Sequence, residues 1–158
     1  MTGMTGSVGS VGADGSTTLV DPRGLRFTAG VTTVVLALVL VTGSAVLLGV
    51  QGLVFAIGAF AGLRRAPYGW FFRRTLAGRL RPPAALEAET PPRFAQGLGL
   101  AFAVVGVIGY ASGNGWLGLT ATSLAWVAAF LNAAFGYCLG CETYLLIRRL
   151  STRKGVTA

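Results

Sequence analysis

The chain has no histidine, one lysine, two cysteines and only five acidic residues among 158. Without histidine it lacks the side chain best suited to moving protons near neutral pH. The acids are Asp14, Asp21, Glu87, Glu89 and Glu142, too few and too scattered for paired-carboxylate chemistry. A self-contained zinc centre needs about four ligands, usually cysteine or histidine, and the chain cannot supply them. Charge is missing altogether from Phe27 to Leu63 and from Phe94 to Cys141.

Those two uncharged runs dominate what is present. Hydrophobic residues make up 53%, charged residues 11%, and mean hydropathy is +0.68, too apolar for a water-soluble fold of this size. Each run far exceeds the roughly 20 residues one helix needs to cross a bilayer, so each reads as a hairpin of two spans. The expectation is an all-α integral membrane protein with four transmembrane helices in the lipid bilayer.

The net charge of +8 follows the same plan. The thirteen basic residues are Arg23, Arg26, Arg64, Arg65, Arg73, Arg74, Arg79, Arg81, Arg93, Arg148, Arg149, Arg153 and Lys154. All lie before, between or after the hairpins. The tips, around Thr42-Gly43-Ser44 and Ser112-Gly113-Asn114-Gly115, have none. By the positive-inside rule both termini and the central loop face the cytoplasm, so the expected location is the cytoplasmic membrane. This asymmetry accounts for the charge without a nucleic acid. The preference for arginine over lysine, with abundant Ala, Gly and Val, points to a GC-rich bacterial genome.

Residues 1–20 are mostly Gly, Ser, Thr and Val without a basic residue, which does not match a secretory signal and reads as a disordered tail. The membrane domain covers 21–150, and 151–158 reads as a basic tail. Asp21-Pro22 and Thr90-Pro91 each look like an N-cap followed by a first-turn proline. Helices are expected from there to about Val41 and Ala111, then over Ala45 to Leu63 and Trp116 to Ala134. Arg23 and Arg26 can snorkel from the first helix to the headgroups. Tyr68 to Arg74 mixes aromatics with arginine, as does Glu142 to Leu150 with Arg148 and Arg149; both suit interfacial segments.

Shifting the chain by 67 residues sets Arg26-Phe27-x-x-Gly30 on Arg93-Phe94-x-x-Gly97, and Tyr68-Gly69-Trp70 on Phe135-Gly136-Tyr137. The expectation is a parallel repeat about an axis along the membrane normal. Repeat 1 covers about 21–81 and repeat 2 about 90–150, each a hairpin followed by a cytoplasmic interfacial segment.

The two cysteines stand at Cys138-Leu139-Gly140-Cys141, where the last apolar run meets basic chain. Two intervening residues bring both sulfurs within bridging reach on one helical turn. A helix starting near Cys138 would stabilise a thiolate, the nucleophile of disulfide exchange and of sulfane-sulfur transfer. On the cytoplasmic side thiols are mostly kept reduced, which favours a transient or catalytic disulfide over a structural one. Cys138 and Cys141 are the candidate catalytic residues, with Cys138 attacking and Cys141 resolving. Glu142 is a candidate proton acceptor or simply a first-turn acid. Register across the repeat makes Arg73 and Arg74 candidate supports for the thiols. Metal binding by Cys138 and Cys141 would need a second chain in a dimer, and buried cysteines can also act as small hydrophobes. Asn132 reads as interhelical glue or part of a polar path, and Gly58-x-x-x-Gly62 as a helix-packing notch. No cofactor is called for.

Val20-Asp21-Pro22-Arg23-Gly24, Pro91-Pro92-Arg93-Phe94-Ala95-Gln96 and Phe135-Gly136-Tyr137-Cys138-Leu139-Gly140-Cys141-Glu142 together resemble the bacterial membrane family called domain of unknown function 4395. The resemblance runs from about Val20 to Arg149. It implies a small multi-span protein whose genes lie near those of thioredoxin-like and sulfurtransferase proteins, and hence partners of that kind. The expected function is thiol–disulfide or sulfane-sulfur exchange at a cytoplasm-facing CxxC. The alternatives are a small transporter or channel for a sulfur compound, and a membrane scaffold holding metal across a dimer.

Overall fold

The computed structural model describes residues 18–79 and 85–154. In chain order the helices are α1 (Pro22–Thr42), α2 (Ala45–Ala56, continued by a π turn over Ile57–Ala61), α3 (Pro67–Thr75), α4 (Thr90–Ala111), α5 (Gly115–Phe135) and α6 (Leu139–Lys154). Residues 1–17 and 155–158 of the expected tails lie outside the described residues, and α6 continues through Lys154 into the segment read as the basic tail.

Local sequence sets most helix ends. The Asp21 carboxylate accepts the Arg23 N–H at 2.9 Å, and Pro22 opens α1 where no N–H is needed. Gly43 ends α1 in the left-handed region at φ 63°. Ser44 then caps α2, its Oγ accepting the Leu47 N–H at 3.2 Å. At the second tip the Asn114 side chain accepts the Leu117 N–H at 3.2 Å. One cap differs from expectation: Thr90 lies inside α4, and Glu89 holds the cap position without a side-chain cap bond.

Glu89 is used elsewhere, and this shortens the second helix. Its buried carboxylate accepts the Leu63 N–H at 2.7 Å. Gly62, at φ 92°, makes the turn that delivers Leu63 to it. Three helices, α1, α4 and α5, are long and apolar enough to cross a membrane, whereas Ala45–Ala61 is apolar but shorter. At 1.5 Å per residue this helix covers about 25 Å, against a hydrocarbon core of about 30 Å. Of the four full spans expected, the structure has three helices of sufficient length, and Ala45–Ala61 falls short. The chain has the architecture of an all-α membrane protein.

α1 packs along α5, α5 along α4, and α4 along α2. Between them Leu36, Val39, Leu48, Phe55, Ala103 and Ala125 form the core. Small residues bring α4 close to its neighbours, as expected where lipid gives no hydrophobic drive between helices. A Cβ on Gly106 would lie 2.6 Å from Leu48, and one on Gly109 would meet the Gly118 backbone. Outward-facing Val34, Leu38, Val50, Leu53, Val104 and Ile108 remain exposed, a surface suited to acyl chains.

The short helices dock on the first turns of α1 and α4. α3 lies on α1, with Phe27 at 6.3 Å from Phe71 and 5.5 Å from Phe72 between ring centroids. α6 lies on α4, with Phe94 at 5.6 Å from Tyr144. An unanticipated pair of two-residue strands, β1 (Leu19–Val20) and β2 (Glu87–Ala88), joins the segments leading into α1 and α4. They run antiparallel with Leu19 opposite Ala88.

Candidate functional site

Gly136 stops α5 at φ 70°, and its N–H bonds the Asn132 and Leu131 carbonyls. Glycine takes this left-handed conformation without a Cβ penalty. The chain turns through Tyr137 and restarts as α6 at Leu139, so Cys138 occupies the N-cap. Its Sγ accepts the Cys141 N–H at 3.3 Å, the position a serine or aspartate oxygen fills in ordinary caps. The Glu142 N–H donates to the Cys138 carbonyl at 3.0 Å. Cys138 and Cys141 are joined as a disulfide across this first turn, with 5.2 Å between their Cα atoms. Both are half-buried. Gly140, between them, lets α6 touch α4: a Cβ there would lie 2.5 Å from the Ala95 Cβ.

The disulfide lies at the mouth of a cavity of about 670 Å³ among α1, α4, α5 and the start of α6. Its α1 wall runs from Pro22 to Thr32, about 15 Å at helical rise, roughly half the hydrocarbon thickness. Deeper walls are apolar, including Phe55, Phe102 and Leu124. Beyond them the fully buried Leu36, Val39 and Leu48 fill the bundle toward the tips.

Polar groups interrupt the apolar wall. Thr33, Thr42, Thr75, Thr122 and Thr143 each bond the carbonyl four residues earlier. Thr28 and Thr32, which line the cavity and are only 8% and 4% exposed, make no such bond to any described residue. Nor do the side-chain amides of Gln96 and Asn132, which also line it. Arg26 lines the mouth and donates from Nη2 to the carbonyls of Ala133 (3.3 Å) and Ala134 (3.2 Å).

Of the residues marked in the sequence, the structure brings Cys138, Cys141 and Asn132 to one cavity. Glu142 is exposed in the first turn of α6 and is not part of the lining; this fits an acid favoured by the helix dipole. Arg73 and Arg74 are held on α3, away from the lining. Arg73 donates to the Arg64 carbonyl, and the Arg74 guanidinium lies 5.8 Å from the Trp70 ring centroid. The cation at the cysteine cavity is Arg26, because α3 docks on α1 while the cysteine helix docks on α4. Gly58 does admit close packing, against the Gln96 side chain, but Gly62 serves as a helix stop instead. The sequence signal for the cavity was the four-residue spacing of Thr28 and Thr32, which puts both hydroxyls on one helix face.

A second polar pair lies deeper on α2. The Tyr68 hydroxyl donates to Gln51 Oε1 at 2.9 Å, and Gln51 is fully buried with its Nε2 unpaired among the described residues. Burial pushes the Tyr68 phenol above its ordinary range. Among the described residues no group of three or more His, Cys, Asp and Glu comes together to hold a metal ion.

The family model described as Domain of unknown function (DUF4395) matches residues 20–149, and the chain belongs to that family. No curated protein and no solved structure matches it.

Proposed function

We propose that this member of the DUF4395 family exchanges thiols or sulfane sulfur through Cys138 and Cys141 with a thioredoxin-like or sulfurtransferase partner on the cytoplasmic side. The observation carrying the reading is the position of Cys138 Sγ at the α6 N-cap, hydrogen-bonded to the Cys141 N–H and bonded to the Cys141 sulfur. An N-terminal N–H and the helix dipole favour a thiolate over a thiol at that atom.

In the exchange, a partner thiolate attacks Cys138 Sγ. The S–S bond to Cys141 breaks, and Cys141 leaves as a thiolate that takes a proton from water. A second partner thiol, losing its own proton, then attacks the partner's sulfur in the mixed disulfide. The partner is oxidised by two electrons, and the Cys138–Cys141 disulfide is reduced to two thiols. In the reverse direction Cys138 attacks and Cys141 resolves.

The membrane arrangement belongs to the same proposal. Four helices form two parallel-repeat hairpins, the shortened α2 reaching across by local thinning of the bilayer or by snorkelling of its arginine flank. Matched arginines, Arg26 and Arg93, support the repeat. The uncharged tips and arginine-rich opposite end support cytoplasmic termini. Labelling of Asn114→Cys, in a chain lacking the native cysteines, from outside the cell but not inside tests this orientation.

A transporter for a small sulfur compound is a second reading, favoured by the depth of the cavity. Leu36, Val39 and Leu48 close the path toward the tips in this conformation, so transport would require them to part. Thiosulfate uptake into proteoliposomes tests it. A scaffold holding metal would need a second copy to supply ligands, and the metal content of purified protein tests that.

The decisive experiment is trapping. Cys141→Ser should accumulate a mixed disulfide between Cys138 and thioredoxin under mildly oxidising conditions, whereas Cys138→Ser should not. No adduct in either variant overturns the exchange reading.

A further inference from the structure

We infer that the cavity behind the Cys138–Cys141 pair binds a lipid-soluble quinone, which oxidises the reduced pair. The inference rests on the pair being redox-active as proposed above. A dithiol that repeatedly reduces or is reduced by a partner needs a second electron acceptor or donor. The chain holds no other cysteine, so that second partner must come from outside the polypeptide.

The cavity favours one that arrives through the lipid. It starts at the disulfide and continues about 15 Å into the apolar half of the bundle, between helices whose outer faces suit acyl chains. Its volume of about 670 Å³ lies within the range of about 300–1,000 Å³ typical of small-molecule sites. A water-soluble oxidant would gain nothing from the apolar depth, whereas an isoprenoid tail would.

The polar groups match the quinone head. Among the described residues Thr28 and Thr32, more than nine-tenths buried, are unpaired, as are the side-chain amides of Gln96 and Asn132 in the same lining. Unlike Gln51 Nε2 and Trp126 Nε1, which are sealed in protein, these polar atoms open onto the cavity, where a ligand can pair with them. Hydroxyls and amides both donate and accept. They can therefore donate to the carbonyl oxygens of a quinone and accept from the hydroxyls of the quinol, which suits a ligand that alternates between the two. A saturated acyl chain would leave all four unsatisfied.

The redox step balances without a further reactant. Two S–H bonds at Cys138 and Cys141 break and one S–S bond forms. The two electrons and two protons pass to the quinone, whose carbonyl oxygens become the two hydroxyls of the quinol.

The test uses the full chain in lipid nanodiscs, reduced, freed of reductant and mixed anaerobically with decylubiquinone. One quinol should appear for every two thiols lost, and a variant lacking both cysteines should form none. Thr32→Val and Asn132→Leu should each raise the KM for the quinone about tenfold, the effect of one lost hydrogen bond, while Thr32→Ser stays near wild type. Ala128→Phe, which fills the cavity, should slow the reaction at every quinone concentration. A rate no faster than that of a free dithiol, a covalent quinone adduct in place of the disulfide, or an unchanged KM in both polar variants overturns the inference. Quinone reduction without thioredoxin trapping would instead overturn the exchange reading alone. Trapping without quinone reduction would overturn only this one.

Discussion

Arg26 and Arg93, 67 residues apart in the sequence, make the same contact from opposite halves of the molecule. Arg26 on α1 donates to the carbonyls of Ala133 and Ala134 at the end of α5. Arg93 on α4 donates to those of Ala59 (3.1 and 2.9 Å) and Phe60 (3.1 Å) at the end of α2. The last carbonyls of a helix lack intrahelical partners and carry the negative end of its dipole. Each arginine thus closes the end of a helix far from it in the chain.

Removing either arginine leaves those carbonyls unpaired near the apolar layer. Hydrogen bonds to a charged group are worth about 1.5–3 kcal/mol, so Arg26→Ala and Arg93→Ala should each lower stability by about that much. Arg93, with more bonds, should cost more. Lysine should restore only part of the loss, since it lacks the planar fork. Thermal unfolding in detergent, followed by circular dichroism, checks both the sizes and their order.

At the cysteine turn, the cap geometry predicts unequal thiols. With the other cysteine changed to serine, Cys138 should react with iodoacetamide several-fold faster at neutral pH than Cys141, because Cys138 Sγ receives an amide N–H at the helix start. Glu142→Gln removes a negative charge from the same turn and should speed Cys138 further. Equal rates for the two single-cysteine chains would remove the basis for assigning Cys138 as the attacking group.

Gly140→Val tests the seating of α6. Its side chain would collide with Ala95, whose Cβ and Cα lie 2.5 and 2.6 Å from the position of a Cβ at residue 140. Overpacking of this kind costs about 1–3 kcal/mol. The expected result is a lower unfolding midpoint together with faster alkylation of the reduced cysteines, as α6 lifts from α4. Gly30→Ala, where a Cβ meets nothing within 4 Å, serves as the reference substitution and should leave both properties unchanged.

Tyr68 predicts a pH dependence of stability. Burial raises its folded-state pKa above the ordinary value of 10.0, so folding favours the neutral phenol. That contribution is fully present below the unfolded value and is lost as pH rises through the higher folded one. Wild-type unfolding midpoints should therefore fall more steeply than those of Tyr68→Phe as pH rises above the ordinary value of 10.0. Below that value Tyr68→Phe should already be the less stable protein, because Gln51 Oε1 loses its donor. Parallel curves above it would show that Tyr68 titrates alike in both states.

Much of this architecture follows from chemistry within a few residues of each point. Uncharged runs of this length demand helices in lipid, and Asp21-Pro22, Gly43-Ser44, Asn114 and Gly136 start or stop them through bonds to near neighbours. The Cys138–Cys141 turn was legible for the same reason, whereas the bonds of Arg26 and Arg93 to distant helix ends were not. Interactions between distant segments were not. α2 stops short because Glu89, 26 residues later, holds Leu63 beside Gly62. Arg26 rather than Arg73 or Arg74 stands by the cysteines, since α3 and α6 dock on different helices. Thr28 and Thr32 have a helix-face spacing visible in the sequence, but whether that face meets a neighbour or a cavity depends on how α1, α4 and α5 pack. Caps and periodicity act over one helical turn, whereas helix-to-helix docking depends on the shapes of side chains far apart in the chain, and here only the tertiary structure decided it.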